Sequence, residues 1–154
     1  MGADKKPLTK EESATVIEAA IRKQLKKPTG ELTKANLEKV TKLDLDNNQL
    51  TGVKGLEKLT QLTRLVLAHN QLTDVKGLEK LTQLAYLNLT SNQLTDVKGL
   101  EKLTQLTYLN LEDNPDLTKA QIGQLQKALP KCEIKHSANS TVNPGTSSLT
   151  PNSP

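Results

Sequence analysis

Between Leu43 and Tyr108 the chain repeats one pattern of apolar and polar positions three times, and from Leu109 it starts a fourth. The copies read LDLDNNQLTGVKGLEKLTQLTR (43–64), LVLAHNQLTDVKGLEKLTQLAY (65–86) and LNLTSNQLTDVKGLEKLTQLTY (87–108); the fourth opens LNLEDNPDLT (109–118) and then departs. Each copy begins Leu-x-Leu, the alternation of a short strand with both leucines facing inward and the middle residue outward. Asn48, Asn70, Asn92 and Asn114 fall in one column. There an asparagine turns the chain and its amide can bond the backbone of adjacent coils, so this column is expected to be structural. Gly55, Gly77 and Gly99 form another column, suited to a tight return on the far side. A unit this short cannot bury its own leucines, so the copies must stack and share one core.

The flanks have a different period. Residues 1–8 are polar and expected to be loose. Thr9 and Glu12 have the spacing of a capping box, and Val16, Ile17, Ala20, Ile21 and Leu25 then recur at helical spacing. KKPTG (26–30) ends that helix, and Thr33 can cap a shorter one carrying Leu37 and Val40. Together they make a helical N-terminal cap over 9–41. Repeats over 42–114, about four coils, lead into a helical C-terminal cap over 115–136. Here Thr118 and Gln121 form a second capping box ahead of Ile122, Leu125 and Leu129, and Pro130 closes the helix. The remainder, 137–154, is rich in Ser, Thr, Asn and Pro and is expected to be a disordered tail or linker.

The pattern L-x-L-x-x-N-x-L at a period of 22 resembles the 22-residue class of bacterial leucine-rich repeat proteins, the internalin-like domains among them, over roughly residues 9–136. The resemblance implies an α/β fold: a right-handed solenoid with a short parallel sheet on its concave side and a helical cap at each end. It also implies that the concave side binds proteins. The chain departs from the better-known internalins in having few repeats, and it does not match their partner-binding residues, so no named partner carries over.

The copies do not differ at random. Copies two and three exchange Val66/Asn88, Ala68/Thr90, His69/Ser91 and Ala85/Thr107, all beside the strand. Copies one and two add Arg64/Tyr86 there, and only Gly52/Asp74 lies elsewhere. Convex positions such as Lys54/76/98, Glu57/79/101, Lys58/80/102 and Gln61/83/105 are identical in all three copies. Drift at exposed positions would touch both sides, so the concave face reads as specialised. Its rows are Lys42, Arg64, Tyr86, Tyr108; then Asp44, Val66, Asn88, Asn110; then Asp46, Ala68, Thr90, Glu112; and last Asn47, His69, Ser91, Asp113. From these, Lys42, Arg64, Tyr86, Tyr108, Asp44, Val66, Asn88, Asn110, Asp46, Thr90, Glu112, His69 and Asp113 are the candidate partner-binding residues. Tyr and Arg are the types most enriched where binding energy concentrates, although Tyr86 and Tyr108 could equally serve as a cross-strand pair.

Composition narrows the function. Among 154 residues there is no Phe or Trp and only two Tyr, which fits a thin leucine stack. A net charge of +4 with Lys and Glu interspersed makes no basic stripe for nucleic acid. No apolar run is long enough to span a bilayer and no signal peptide opens the chain, so membrane insertion is not expected. An extracytoplasmic or cell-surface setting is favoured over a cytoplasmic one. Cys132 is the only cysteine, so no internal disulfide forms, and a cap position as a small hydrophobe is expected for it. His69 and His136 are the only histidines. Asp44 and Asp46 share a face but lack the further oxygens of a calcium loop. Neither an enzyme, a metal site nor a cofactor is therefore expected. Four strands at about 4.8 Å spacing present on the order of 300 Å², against about 800 Å² per partner in a standard interface. The reading is a monomeric module that binds a protein or peptide, a short glycan being possible. The alternatives are an intracellular subunit restraining an enzyme and a consensus-type engineered scaffold with no natural ligand.

Overall fold

A computed structural model describes residues 6–138. The chain opens with helix α1 (Lys10–Leu25), started by a reciprocal cap in which Thr9 Oγ1 accepts the Glu12 N–H and Glu12 Oε1 accepts the Thr9 N–H. It stops at Lys26, which turns into the left-handed region at φ 55°. Ile17 and Ile21 are buried on its inner face, and Gln24 Nε2 donates to the Lys42 carbonyl at 2.9 Å, tying the helix to the first strand. A single turn, α2 (Lys34–Leu37), capped by Thr33 and Asn36, brings the chain to that strand. Leu8, expected within a loose start, is instead fixed on the first coil. Its N–H donates to Gln49 O at 2.9 Å, its carbonyl accepts from Thr51 Oγ1 at 2.8 Å, and its side chain packs on the core.

Strands β1 (Lys42–Asp44), β2 (Arg64–Val66), β3 (Tyr86–Asn88) and β4 (Tyr108–Leu111) pair in parallel, each with the next along the chain. Successive parallel strands joined on one side build a right-handed solenoid. The register sets Leu43, Leu65, Leu87 and Leu109 side by side and facing inward. Opposite the sheet, each coil returns through a 3₁₀ turn: Leu56–Lys58, Leu78–Lys80 and Leu100–Lys102. Gly55, Gly77 and Gly99 precede these turns at φ 107°, 102° and 103°, where a side chain would be strained. Two residues on, Glu57, Glu79 and Glu101 each accept the N–H of that glycine at 2.8–2.9 Å. Glu79 is accordingly held below its ordinary carboxyl value, by its own backbone N–H first and by that of Gly77 next. Invariance of the Glu column therefore has a local cause, whereas the lysine columns beside it have no such bond.

The core is a column of leucines with almost no accessible surface, each stabilised by roughly 1.5–3 kcal/mol of burial. The asparagines bind it along its length. Asn70 Nδ2 donates to the carbonyls of Leu45, Leu67 and Ala68, and its Oδ1 accepts the N–H groups of Asn48 and Leu50. Asn92 and Asn114 repeat the three carbonyl bonds one coil further each time, and their Oδ1 atoms accept the N–H groups of Leu72 and Leu94. Asn48, in the first coil, is half-exposed, and its side chain donates only to Asp46 O.

In the last coil, helix α3 (Lys119–Ala128) replaces the 3₁₀ turn, capped by Thr118 and Gln121, with Ile122, Leu125, Leu129 and Cys132 buried beneath it. The chain then adds β5 (Glu133–His136), parallel to β4, which the sequence reading placed in a purely helical cap. The sheet has five strands where four were expected. Ser137 and Ala138, read as the start of the tail, continue this coil: Ser137 Oγ accepts the Asp113 N–H and Ala138 packs on the core. The rest of the expected tail and residues 1–5 lie outside the described residues.

Candidate functional site: the sheet face

The outward positions of the five strands form the rows read from the sequence, each now longer by one. Cα partners run Lys42, Arg64, Tyr86, Tyr108, Glu133 in the first row and Asp44, Val66, Asn88, Asn110, Lys135 in the second. Glu133 and Lys135 were missed because β5 lies off the 22-residue register. The alternation in Glu-Ile-Lys-His, just past Pro130, was the available signal.

The first row is a continuous stack. The Arg64 guanidinium lies over the Tyr86 ring with Cζ 3.8 Å from its centroid, and the Tyr86 and Tyr108 rings stack at 4.9 Å with 16° between planes. Arg64 is exposed and the two tyrosines half-exposed. The register forces the contact, since in-line neighbours on parallel strands are about 4.8 Å apart, the thickness two stacked rings fill. The Arg64 side chain makes no ion pair or hydrogen bond among the described residues. Lys42, at the head of the row, is also exposed.

In the second row three side chains fold back on their own backbone. Asp44, Asn88 and Asn110 each use Oδ1 to accept the N–H two residues on, from Asp46, Thr90 and Glu112 at 2.9–3.0 Å. Val66 breaks this series with a half-buried apolar side chain. Asn110 Nδ2 also donates to Tyr108 Oη at 3.3 Å, joining the two rows.

The third row lies where the chain leaves the sheet, and it is not uniformly outward. Asp46 is exposed, Thr90 and Glu112 are half-buried, but Ala68 is buried, correcting its placement on the open face. Thr90 Oγ1 is buried without a hydrogen-bond partner. In the fourth row Asn47, His69, Ser91 and Asp113 all adopt φ 57–59°, the left-handed region. Asn, Asp and His tolerate that conformation better than other side chains, so backbone geometry accounts for much of the residue choice there. His69 Nδ1 lies 2.8 Å from Asp46 Oδ1, in an exposed pair.

The remaining chemistry is sparse. Burial pushes the Cys132 thiol up to about 11, aided by the charge of Glu133, which disfavours the nucleophilic thiolate. Among the described residues, no group of three or more His, Cys, Asp or Glu side chains is placed to hold a metal ion. No helix among them is long and apolar enough to cross a membrane.

A family model described as Leucine Rich repeats (2 copies) matches residues 38–80, 60–102 and 82–127. Among solved structures, the chain is similar to an internalin, InlF, of Listeria monocytogenes at 30% identity and a TM-score of 0.70, over 77% of this chain and 35% of that one. Internalin C2 of the same organism is 26% identical with a TM-score of 0.69, over 76% of this chain and 51% of that one. The functional domain of InlJ, also from Listeria monocytogenes, is 33% identical with a TM-score of 0.63, over 76% and 25% respectively. The chain thus spans from a quarter to about half of the length of these solved chains. No curated protein matches it.

Proposed function

This chain belongs to the leucine-rich repeat family and is internalin-like in its fold; from that premise we propose that it is a non-enzymatic module binding a protein or peptide on the concave face of its sheet. The observation that carries the reading is the Arg64–Tyr86–Tyr108 stack. It lies on the face where the copies differ, and it presents the residue types that concentrate binding energy. The Asn and Glu bonds that close the coils do not involve it; Tyr86 and Tyr108 also join adjacent strands as a cross-strand pair, but Arg64 is left with its donors open. Five strands at about 4.8 Å present a narrow strip, enough for an extended peptide or for one part of a larger interface. Both faces of the Tyr86 ring are covered, one by Arg64 and one by Tyr108, so the central ring offers no face for a sugar to stack on. A peptide is therefore the preferred ligand over a short glycan. A surface or secreted setting and a monomeric state complete the proposal.

The test compares two baits in pull-downs from cell lysate and surface extract: the intact chain, and one carrying Arg64→Ala, Tyr86→Ala and Tyr108→Ala. A partner retained by the intact bait and lost from the triple variant supports the concave face as the site. The extract that supplies it separates a surface role from an intracellular regulatory one. Equal capture by both baits would remove the concave face from consideration.

A further inference from the structure

The hydrogen-bonding polarity at the centre of the sheet face is set from within the coil. A backbone N–H can be met only by the oxygen of an Asn amide, so the turn bonds to Thr90 and Glu112 fix Oδ1 of Asn88 and Asn110 inward. The donor branch, Nδ2, is left facing away from the backbone. Asn88 Nδ2 has no hydrogen-bond partner among the described residues. Asn110 Nδ2 donates to Tyr108 Oη, which occupies a phenol lone pair and leaves the phenol proton free to donate. Arg64, with Cζ 3.8 Å over the Tyr86 ring, keeps its guanidinium N–H donors unused among the described residues.

The centre of the face thus offers donors from four neighbouring side chains, Arg64, Asn88, Tyr86 and Tyr108, beside the apolar Val66. The acids lie around it: Asp44 in the first coil, Asp46, Glu112 and Asp113 toward the turn, and Glu133 on β5, 3.6 Å from Lys135. Asp44 makes the same turn bond as Asn88 but presents a second carboxylate oxygen where Asn88 presents N–H. One column has therefore opposite polarity at its edge and at its centre.

From this placement we infer that the concave face selects an extended peptide carrying an acidic side chain, whose carboxylate is received between Arg64 and Asn88 and whose flanking residues are neutral or basic. The inference rests on the concave face being the peptide site, and it adds the chemistry of the ligand. A stacked guanidinium with free N–H groups suits a carboxylate, and a charge-assisted bond outweighs one to a neutral acceptor. The surrounding acids oppose a ligand that is acidic along its whole length.

The experiment selects binders from a displayed library of random ten-residue peptides with blocked C-termini, using the intact chain and, in parallel, the Arg64→Ala/Tyr86→Ala/Tyr108→Ala variant. Enriched peptides are then remade with Asp→Asn or Glu→Gln and titrated by fluorescence anisotropy against the intact chain and Asn88→Asp. That substitution keeps the turn acceptor, so its melting temperature should match the parent, while it replaces the outward donor with an anionic oxygen. The expected result is one recurrent acid among the binders, at least about tenfold weaker binding when it is neutralised, and a similar loss in Asn88→Asp confined to the acidic form. Peptides that require the stack but show no acid preference, or that bind Asn88→Asp as well as the parent, would overturn this inference and leave the peptide-binding reading standing. Failure of the selection to distinguish the intact chain from the triple variant would overturn both.

Discussion

Asn70 Oδ1 accepts the backbone N–H of Leu50 at 3.0 Å, across twenty positions of sequence and one step of the stack. With its bonds to Asn48, Leu45, Leu67 and Ala68, one buried amide satisfies five backbone groups. Asn70→Ala should therefore cost on the order of 3 kcal/mol, since stranded buried groups each lose more than a net hydrogen bond. Urea denaturation should show a lower midpoint at unchanged slope. Asn48→Ala removes a single half-exposed bond and should cost about 1 kcal/mol or less. Equal losses at the two positions would contradict the ladder.

Glu79 supplies a pH dependence of known sign. Its folded carboxyl titrates below its ordinary value of 4.5, because the backbone N–H bonds it accepts favour the charged form. The unfolded chain therefore takes up the proton first as pH falls. The contribution is complete above the ordinary value and is lost as pH drops through the folded one. Chemical denaturation between pH 6 and pH 3 should show a smaller loss of stability in Glu79→Gln than in the parent. Parallel curves for the two proteins would deny the carboxylate this role.

Cys132 should be nearly inert in the folded chain. With its thiol pushed up to about 11 and its side chain buried, the thiolate at pH 8 is a fraction on the order of one in a thousand. Labelling with an aromatic disulfide reagent should be at least about a hundredfold slower in the native protein than in urea. Comparable rates would mean that the C-terminal cap opens readily.

The N-terminal cap should be indispensable to the first coil. Ile17 and Ile21 belong to the same buried cluster as Leu43, Leu45 and Leu56, and Gly55 sits against Ile17 closely enough that an added methyl would lie 3.5 Å from its Cγ2. Deleting residues 1–40 bares those leucines, and the product should aggregate or unfold at room temperature, as read by light scattering and circular dichroism. A soluble truncation with a cooperative melt would show that the coils close without α1.

What was legible in the sequence was whatever repeats with the coil. Leu65 and Leu87 declared their inward direction by alternation, Asn70 and Asn92 their turn, and Gly77 its return, because each obeys the same register. Features that break the register were hidden. β5 is reached through α3, so Ile134 pairs with Leu109 at a spacing the shorter copies do not use. Ala68 was assigned outward by strand alternation, yet β2 ends at Val66, and beyond it the chain bends toward His69 in a left-handed conformation that carries Ala68 inside. The outward rows themselves were readable as positions. The stacking of Arg64 on Tyr86 and the inward amide oxygen of Asn88 depend on rotamers, which no periodicity encodes.

The second and third copies carry the same leucines, valines and asparagine at matching buried positions. Excising residues 65–86 would set the first coil directly on the former third, with leucines facing leucines across the new junction and both caps untouched. Gain or loss of one 22-residue copy changes the length of the protein in whole steps. Each step adds or removes one residue from every row and about 4.8 Å of sheet face. The regularity that makes the core robust also makes the length of the sheet face adjustable in whole coils.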